Sequence, residues 1–143
     1  MNDKPETEAS MQAVLYLSLL SAEISLKALL EKAGRPIPEI RKRNHNLAEL
    51  LNDLASCEYQ FHDGQGHHAW FPASFIGNIS IDESYGNATI EVLLNGEKEG
   101  ASKYPTEIRY GDQRQHYPYD VICKMAFKII EWAKTHWATI RIA

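Results

Sequence analysis

Glu23 and Lys27 stand one helical turn apart in SLLSAEISLKALLEK (Ser18 to Lys32), in the Glu-to-Lys order that favours a helical ion pair. The residues around them are apolar nearly all round the helix. Val14, Leu15, Leu17, Leu19, Leu20, Ile24, Leu26, Leu29 and Leu30 fit no single narrow stripe, which is the pattern of a central, buried element. A charge in such a place must be paired or must serve a site. A second group with chemical capacity is QFHDGQGHH (residues 60–68), where His62, Asp63, His67 and His68 combine imidazole with carboxylate, the donor types zinc takes. Their spacing fits no zinc pattern, and Gly64 and Gly66 read as a mobile loop, so no metal is expected. Two further stretches carry positive charge. RPIPEIRKR (35–43) has four arginine or lysine residues, and YPTEIRYGDQRQHYPY (104–119) mixes aromatic and basic side chains.

The elements that must position these groups are mostly helices. A first helix is expected from about Ala9 or Ser10 to Ala33, after a disordered lead over residues 1–8. Gly34 suits its C-terminal cap, and Pro36 and Pro38 bar its continuation. The basic residues 35–43 then read as a solvated connector that also favours the negative end of helix 1, or as a contact for an anion or RNA. A second helix is expected from Asn44 or Asn46 to Ala55 or Cys57. Asn46 is its cap, Glu49 the capping-box partner, and Leu47, Leu50, Leu51 and Leu54 its apolar face. His45, at the mouth of that helix, reads as a structural hydrogen-bonding group.

The middle of the chain is less legible. AWFPASFI (69–76) is expected to pack on the helices. Ile79, Ile81, Ile90, Val92 and Leu94 alternate as in a hairpin turning at Tyr85–Asn87, while Asn87–Leu94 reads equally as a short helix ended by Gly96. The last helix is expected over about Tyr119 to Ile140. Asp120 sits in its first turn after Pro118, and a wide apolar face runs through Val121, Ile122, Met125, Phe127, Ile129, Ile130, Trp132, Ala133, Trp137 and Ile140.

With 143 residues, 44% of them hydrophobic, the chain has the size of one globular domain. A net charge of -4 argues against a broad non-specific nucleic-acid surface and leaves room for a local basic site. No uninterrupted apolar run reaches membrane-spanning length, so no transmembrane helix and no membrane partner are expected, and the start MNDKPETEAS lacks a signal-peptide pattern. Cys57 and Cys123 read as free thiols of a reducing cytoplasm.

Three fragments together resemble the HEPN superfamily of small helical-bundle proteins, common in prokaryotic defence and toxin–antitoxin systems. Glu23-Ile-Ser-Leu-Lys27-Ala-Leu-Leu is similar to that family's E-x-x-L-K-x-L-L in a long first helix. Asn44-His45-Asn46-Leu47, with Leu50 and Leu51, is similar to its G-H-D-L-x-x-L segment, with Asn44 standing where the family has glycine. Ile108-Arg109-Tyr110 is similar to the R-Y element before its last helix. The resemblance implies a mainly α fold: a HEPN-like up-and-down helical bundle over residues 9–143, with residues 58–103 as an inserted long loop or small β-hairpin.

Many members of that family are metal-independent ribonucleases whose arginine and histidine lie four to six residues apart near a late helix. Arg109 and His116, with six residues between them, are the matching pair here. The histidine would supply acid–base chemistry near neutral pH, and the arginine would hold the phosphate and its developing charge. The resemblance also implies a homodimer, no cofactor, and RNA or a nucleotide as partner. The competing reading joins Glu23, Lys27, His45, Arg109 and Tyr110 in one internal polar cluster, structural or anion-binding. It makes the chain a non-catalytic dimerising module. On that reading Glu23 is buried and meets a second positive group, Arg109 foremost.

Overall fold

Helix α1, Lys4–Ala33, is the spine on which the other elements pack. The computed structural model describes residues 4–62, 64–66, 68–81, 89–94 and 119–143. Over these the chain is mainly helical, with a small three-stranded sheet. The helix starts within the lead expected over residues 1–8. Pro5 lies in its first turn, where an absent N–H forfeits no intrahelical bond. Its end is the expected one. Gly34 takes φ +114°, its N–H reaches the carbonyls of Leu30 and Glu31 at 3.2 and 3.0 Å, and Arg35 N–H bonds Leu30 at 3.0 Å.

Burial divides α1 into two sides. Leu15, Leu19, Ala22, Leu26, Leu29 and Leu30 are in the core, each leucine contributing on the order of 2 kcal/mol by leaving water. Met11, Val14, Leu17 and Ile24 are exposed, so the expected all-round burial holds for one side only. No transmembrane helix is expected from the sequence, yet by length and composition alone Ser10–Ala33 is long and apolar enough to cross a membrane. Here it is a core helix on one side, and Glu23 is buried on that side.

The basic connector is not wholly a loop. Residues Ile37–Arg41 form a short helix, α2, with Pro36 extended as its N-cap and Pro38 in its first turn, where neither proline breaks a hydrogen bond. Ile40 turns into the core. Helix α3, Leu47–Asp53, begins as expected, with Asn46 Oδ1 accepting the Glu49 N–H at 3.1 Å. It stops earlier than expected. A 3₁₀ turn covers Leu54–Ser56, and Cys57 opens a strand.

That strand, β1 (Cys57–His62), pairs antiparallel with β2 (His68–Pro72) in the register Tyr59 to Phe71 and Gln60 to Trp70. Gly64 and Gly66, at φ +81° and +90°, serve the turn between them, a conformation open to glycine at no steric cost. The segment expected to be a mobile loop is thus the end of a hairpin. The hairpin expected at residues 85–87 falls outside the described residues. On its flanks Ser80 bridges Thr89, and residues 90–94 are helical, with Val92 N–H bonded to Thr89 Oγ1 at 3.2 Å. Between β2 and Ser80, Ala73–Asn78 is a 3₁₀ helix that buries Ala73 and Ile76, while its Phe75 and Trp70 of β2 stay exposed.

The last helix, α4 (Tyr119–His136), packs along α1 and buries Val121, Ile122, Met125, Ala126, Ile129, Trp132 and Ala133. It ends at His136 rather than near Ile140. The chain turns through 137–139, buries Ile140, and adds β3 (Arg141–Ile142) beside β1, giving the sheet order β2-β1-β3. Thr139 Oγ1 accepts the Gln60 N–H at 3.1 Å, and the Tyr59 ring lies 4.1 Å from His136 and 5.3 Å from Trp132. These contacts fix the sheet to the end of α4.

Candidate functional site

Four consecutive residues, Arg43 to Asn46, join α2 to α3, and each is committed to a different task. Asn44 holds the left-handed conformation at φ +52°, the one described non-glycine residue that does so. Asparagine tolerates this region better than most residues, which accounts for a residue other than glycine at that turn. The turn sends Arg43 and His45 to opposite anchors.

His45 reaches back to α1. Its Nδ1 lies 3.0 and 3.1 Å from the two carboxylate oxygens of Glu23, and Lys27 Nζ donates to Glu23 Oε2 at 3.1 Å. The Glu23 side chain is 4% exposed, against 29% for Lys27 and 43% for His45. A carboxylate only accepts, so Nδ1 carries the hydrogen, and the neutral ring keeps Nε2 as its acceptor. The structure therefore brings Glu23, Lys27 and His45 together, and Glu23 is buried as expected. Its second nitrogen partner is His45. Arg109 and Tyr110, expected in the same cluster, lie outside the described residues, as does His116.

Arg43 points the other way. Its Nε and Nη2 donate to the two oxygens of Asp53 at 2.9 Å each, a two-pronged guanidinium–carboxylate pair. Arg35 adds a second cation, 3.6 Å from the same Asp53 and 3.4 Å from Ser56 Oγ. Asp53 is 8% exposed, and its hydrogen bonds and charge raise the Arg43 guanidinium above its ordinary pKa. Arg43 also lies 3.7 Å from Glu49. So two of the four basic residues of the connector are spent inside the fold. Arg41 and Lys42 remain on the surface.

The sequence reading missed Asp53. The available signal was an acid on the leucine-bearing side of a short helix just after a basic run. Such an acid needs a buried partner, and the run supplies it.

What this arrangement can do chemically is limited by the pairing of its carboxylates, although Arg35 Nε is buried with no hydrogen-bond partner among the described residues. A carboxylate holding an imidazole by Nδ1 is the orienting half of an acid–base pair. Here Glu23 also neutralises Lys27. The cleft of about 290 Å³ beside α3 is lined by Glu49, Asn52, Ser74, Gly77 and Glu91 among others, and takes no wall from Glu23, Lys27 or His45. At Gly77 a Cβ would stand 3.2 Å from that of Glu91, so a side chain there would crowd the cleft.

Of the histidine group, Asp63 and His67 lie outside the described residues. His62 and His68 are register partners at the hairpin end. Among the described residues no three metal-ligating side chains cluster. Cys57 is a buried free thiol whose pKa burial pushes up, and Cys123 is a half-buried one.

Compared with protein-family models, curated proteins and solved structures, the chain matches none.

Proposed function

We propose that the chain works by association, as a dimerising, non-catalytic helical module in which the Glu23–Lys27–His45 cluster is structural. One observation carries this reading. Val14, Leu17 and Ile24 of α1, Phe127 of α4 and Trp137 just past its end lie exposed along adjoining helices, while Arg43 and His45 of the turn at 43–46 are occupied by Asp53 and Glu23. A cluster whose carboxylates are paired, beside an exposed apolar side, is suited to binding rather than to bond cleavage. The test is sedimentation of the full chain between 1 and 100 µM. A dimer is expected, and a monomer throughout that range would refute the reading.

The second reading is a HEPN-like up-and-down bundle that binds or cleaves RNA, in a prokaryotic defence or toxin–antitoxin setting, with Arg109 and His116 as the catalytic pair. It is favoured by one specific feature. Two of the three fragments that resemble the family meet in space, through Glu23 and His45, and Asn44 takes a glycine-like conformation where the family has glycine. The commitment of Arg35 and Arg43 to Asp53 counts against RNA contact by the connector. Degradation of single-stranded RNA by wild type, Arg109→Ala and His116→Ala decides it. Loss of activity in both variants supports the nuclease. Equal activity in all three, or none in any, removes the pair.

A further inference from the structure

The exposed apolar residues of α1 and α4 form one stripe, and the stripe has an internal symmetry. On α1 it runs through Val14, Leu17, Ser21, Ile24 and Ala28, at steps of three and four, the spacing of a helix-packing seam. On α4 it runs through Asp120, Cys123, Phe127, Ile130 and Lys134, at the same steps, and ends on Trp137 in the turn just past the helix. The two lines adjoin. Val14, Leu17 and Ser21 share a groove with Cys123, Phe127 and Ile130. Ile24 and Ala28 share the next groove with Ile130, Lys134 and Trp137. The helices therefore run in the same direction, with Ser21 level with the middle of the α4 line.

Val14, Leu17, Ile24, Phe127 and Trp137 are 55, 57, 58, 59 and 42% exposed. With side chains of roughly 150–250 Å² for the larger ones, these five leave on the order of 500 Å² of apolar surface. That is at the upper end for a monomer and more than half of the roughly 800 Å² each partner brings to a standard interface. The interleaved Ser18, Ser21, Ser25 and Ala28 are small, which lets another helix approach closely.

We infer that this stripe is the contact between two copies of the chain, related by a two-fold axis that crosses the helices at the level of Ser21 and Phe127. This rests on the associative reading above and adds its surface and register. The charges choose the geometry. The α4 line carries one acid and one base, Asp120 and Lys134, each seven residues from Phe127. An axis across the helices sets α4 antiparallel to α4 of the second copy, and each Asp120 then faces a Lys134, twice over. The same axis sets Val14 against Ala28 and Leu17 against Ile24 of the second copy, large against small and large against large, with serines at the centre. An axis along the helices would instead place Asp120 and Lys134 opposite the uncharged α1 line.

Sedimentation equilibrium of the full chain tests this, with thermal melts to confirm that each variant folds. Phe127→Glu and Ile24→Glu change exposed side chains and are expected to weaken the dimer at least tenfold. Asp120→Lys and Lys134→Asp alone are expected to weaken it, and the double exchange to restore it. A monomeric wild type overturns both this inference and the associative reading. A wild-type dimer indifferent to Phe127→Glu overturns the surface and leaves the reading standing. A dimer broken by Phe127→Glu but not restored by the double exchange overturns the antiparallel register. A monomer that sediments with phosphatidylcholine–phosphatidylglycerol vesicles assigns the stripe to a lipid surface and overturns the inference.

Discussion

Glu23→Gln is the most informative change to the polar cluster, because it keeps the side chain's shape and removes only its charge. Glutamine accepts through one oxygen, so it can satisfy Lys27 or His45, while its NH₂ faces the other donor. A hydrogen bond to a charged group is worth about 1.5–3 kcal/mol when buried. Here the carboxylate is buried, but Lys27 and His45 are 29% and 43% exposed and recover part of their solvation. The expected loss is therefore at the low end, about 1.5–2 kcal/mol. For a chain of this size that lowers Tm by about 7 °C. The assay is urea and thermal unfolding of wild type, Glu23→Gln, His45→Ala and the double variant. His45→Ala alone is expected to cost about 1 kcal/mol. The double variant should cost less than the two losses added together, by about 1 kcal/mol, because the two residues share one interaction. A Glu23→Gln loss below about 0.5 kcal/mol, or strict additivity, would refute the claim that Glu23 holds His45 in the folded chain.

Asp53→Asn should cost more, about 2–3 kcal/mol, because it leaves Arg35 and Arg43 around a group that no longer balances them. The partial exposure of both arginines keeps the loss below the about 3–5 kcal/mol of a fully buried broken pair, and urea unfolding checks it. At Asn44 the backbone decides. Asn44→Gly should stay within about 0.5 kcal/mol of wild type and Asn44→Val should lose about 1–2 kcal/mol, measured the same way. His136 gives a pH dependence. Burial against Tyr59 and Trp132 holds its pKa below the ordinary value near 6.5, so the unfolded chain binds the proton more readily. Its contribution is whole above pH 6.5 and is lost as pH falls through the folded-state value, at no more than about 1.4 kcal/mol per pH unit. Melts from pH 7.5 to 5 should show a stability loss on acidification that is smaller in His136→Gln.

The helices were legible where a local rule acts alone. Gly34 ends α1 and Asn46 opens α3 because each cap is settled by one residue and its immediate neighbours. Boundaries set by distant partners were not legible. Nothing near Ser56 in the sequence says that Cys57 will pair with Ile142, yet that pairing ends the α3 region and draws the last residues out of α4. The hairpin was missed for a related reason. Tyr59, Phe61, Ala69 and Phe71 do alternate, but the histidines and glycines between them drew attention as chemistry rather than as a turn. Of the site, Glu23, Lys27 and His45 could be named from the sequence. The direction of His45 could not, because it depends on the positive φ of the residue before it.

That positive φ also explains how one short turn serves two clusters. In an extended connection, side chains at 43 and 45 would leave on the same face. With Asn44 left-handed, Arg43 reaches Asp53 inside the α2–α3 hairpin while His45 reaches Glu23 on α1. Both anchors are carboxylates no more than 8% exposed, and each holds two cationic or potentially cationic side chains. The pairs therefore do not compete with each other, and each fixes one side of the turn. Because this clamp grips α1 on the side carrying Glu23, it leaves the side carrying Val14, Leu17 and Ile24 uncommitted. The polar cluster and the apolar stripe are two consequences of one helix held from one side, and a change at Asn44 that loosened the clamp should reach the stripe only through the position of α1 as a whole.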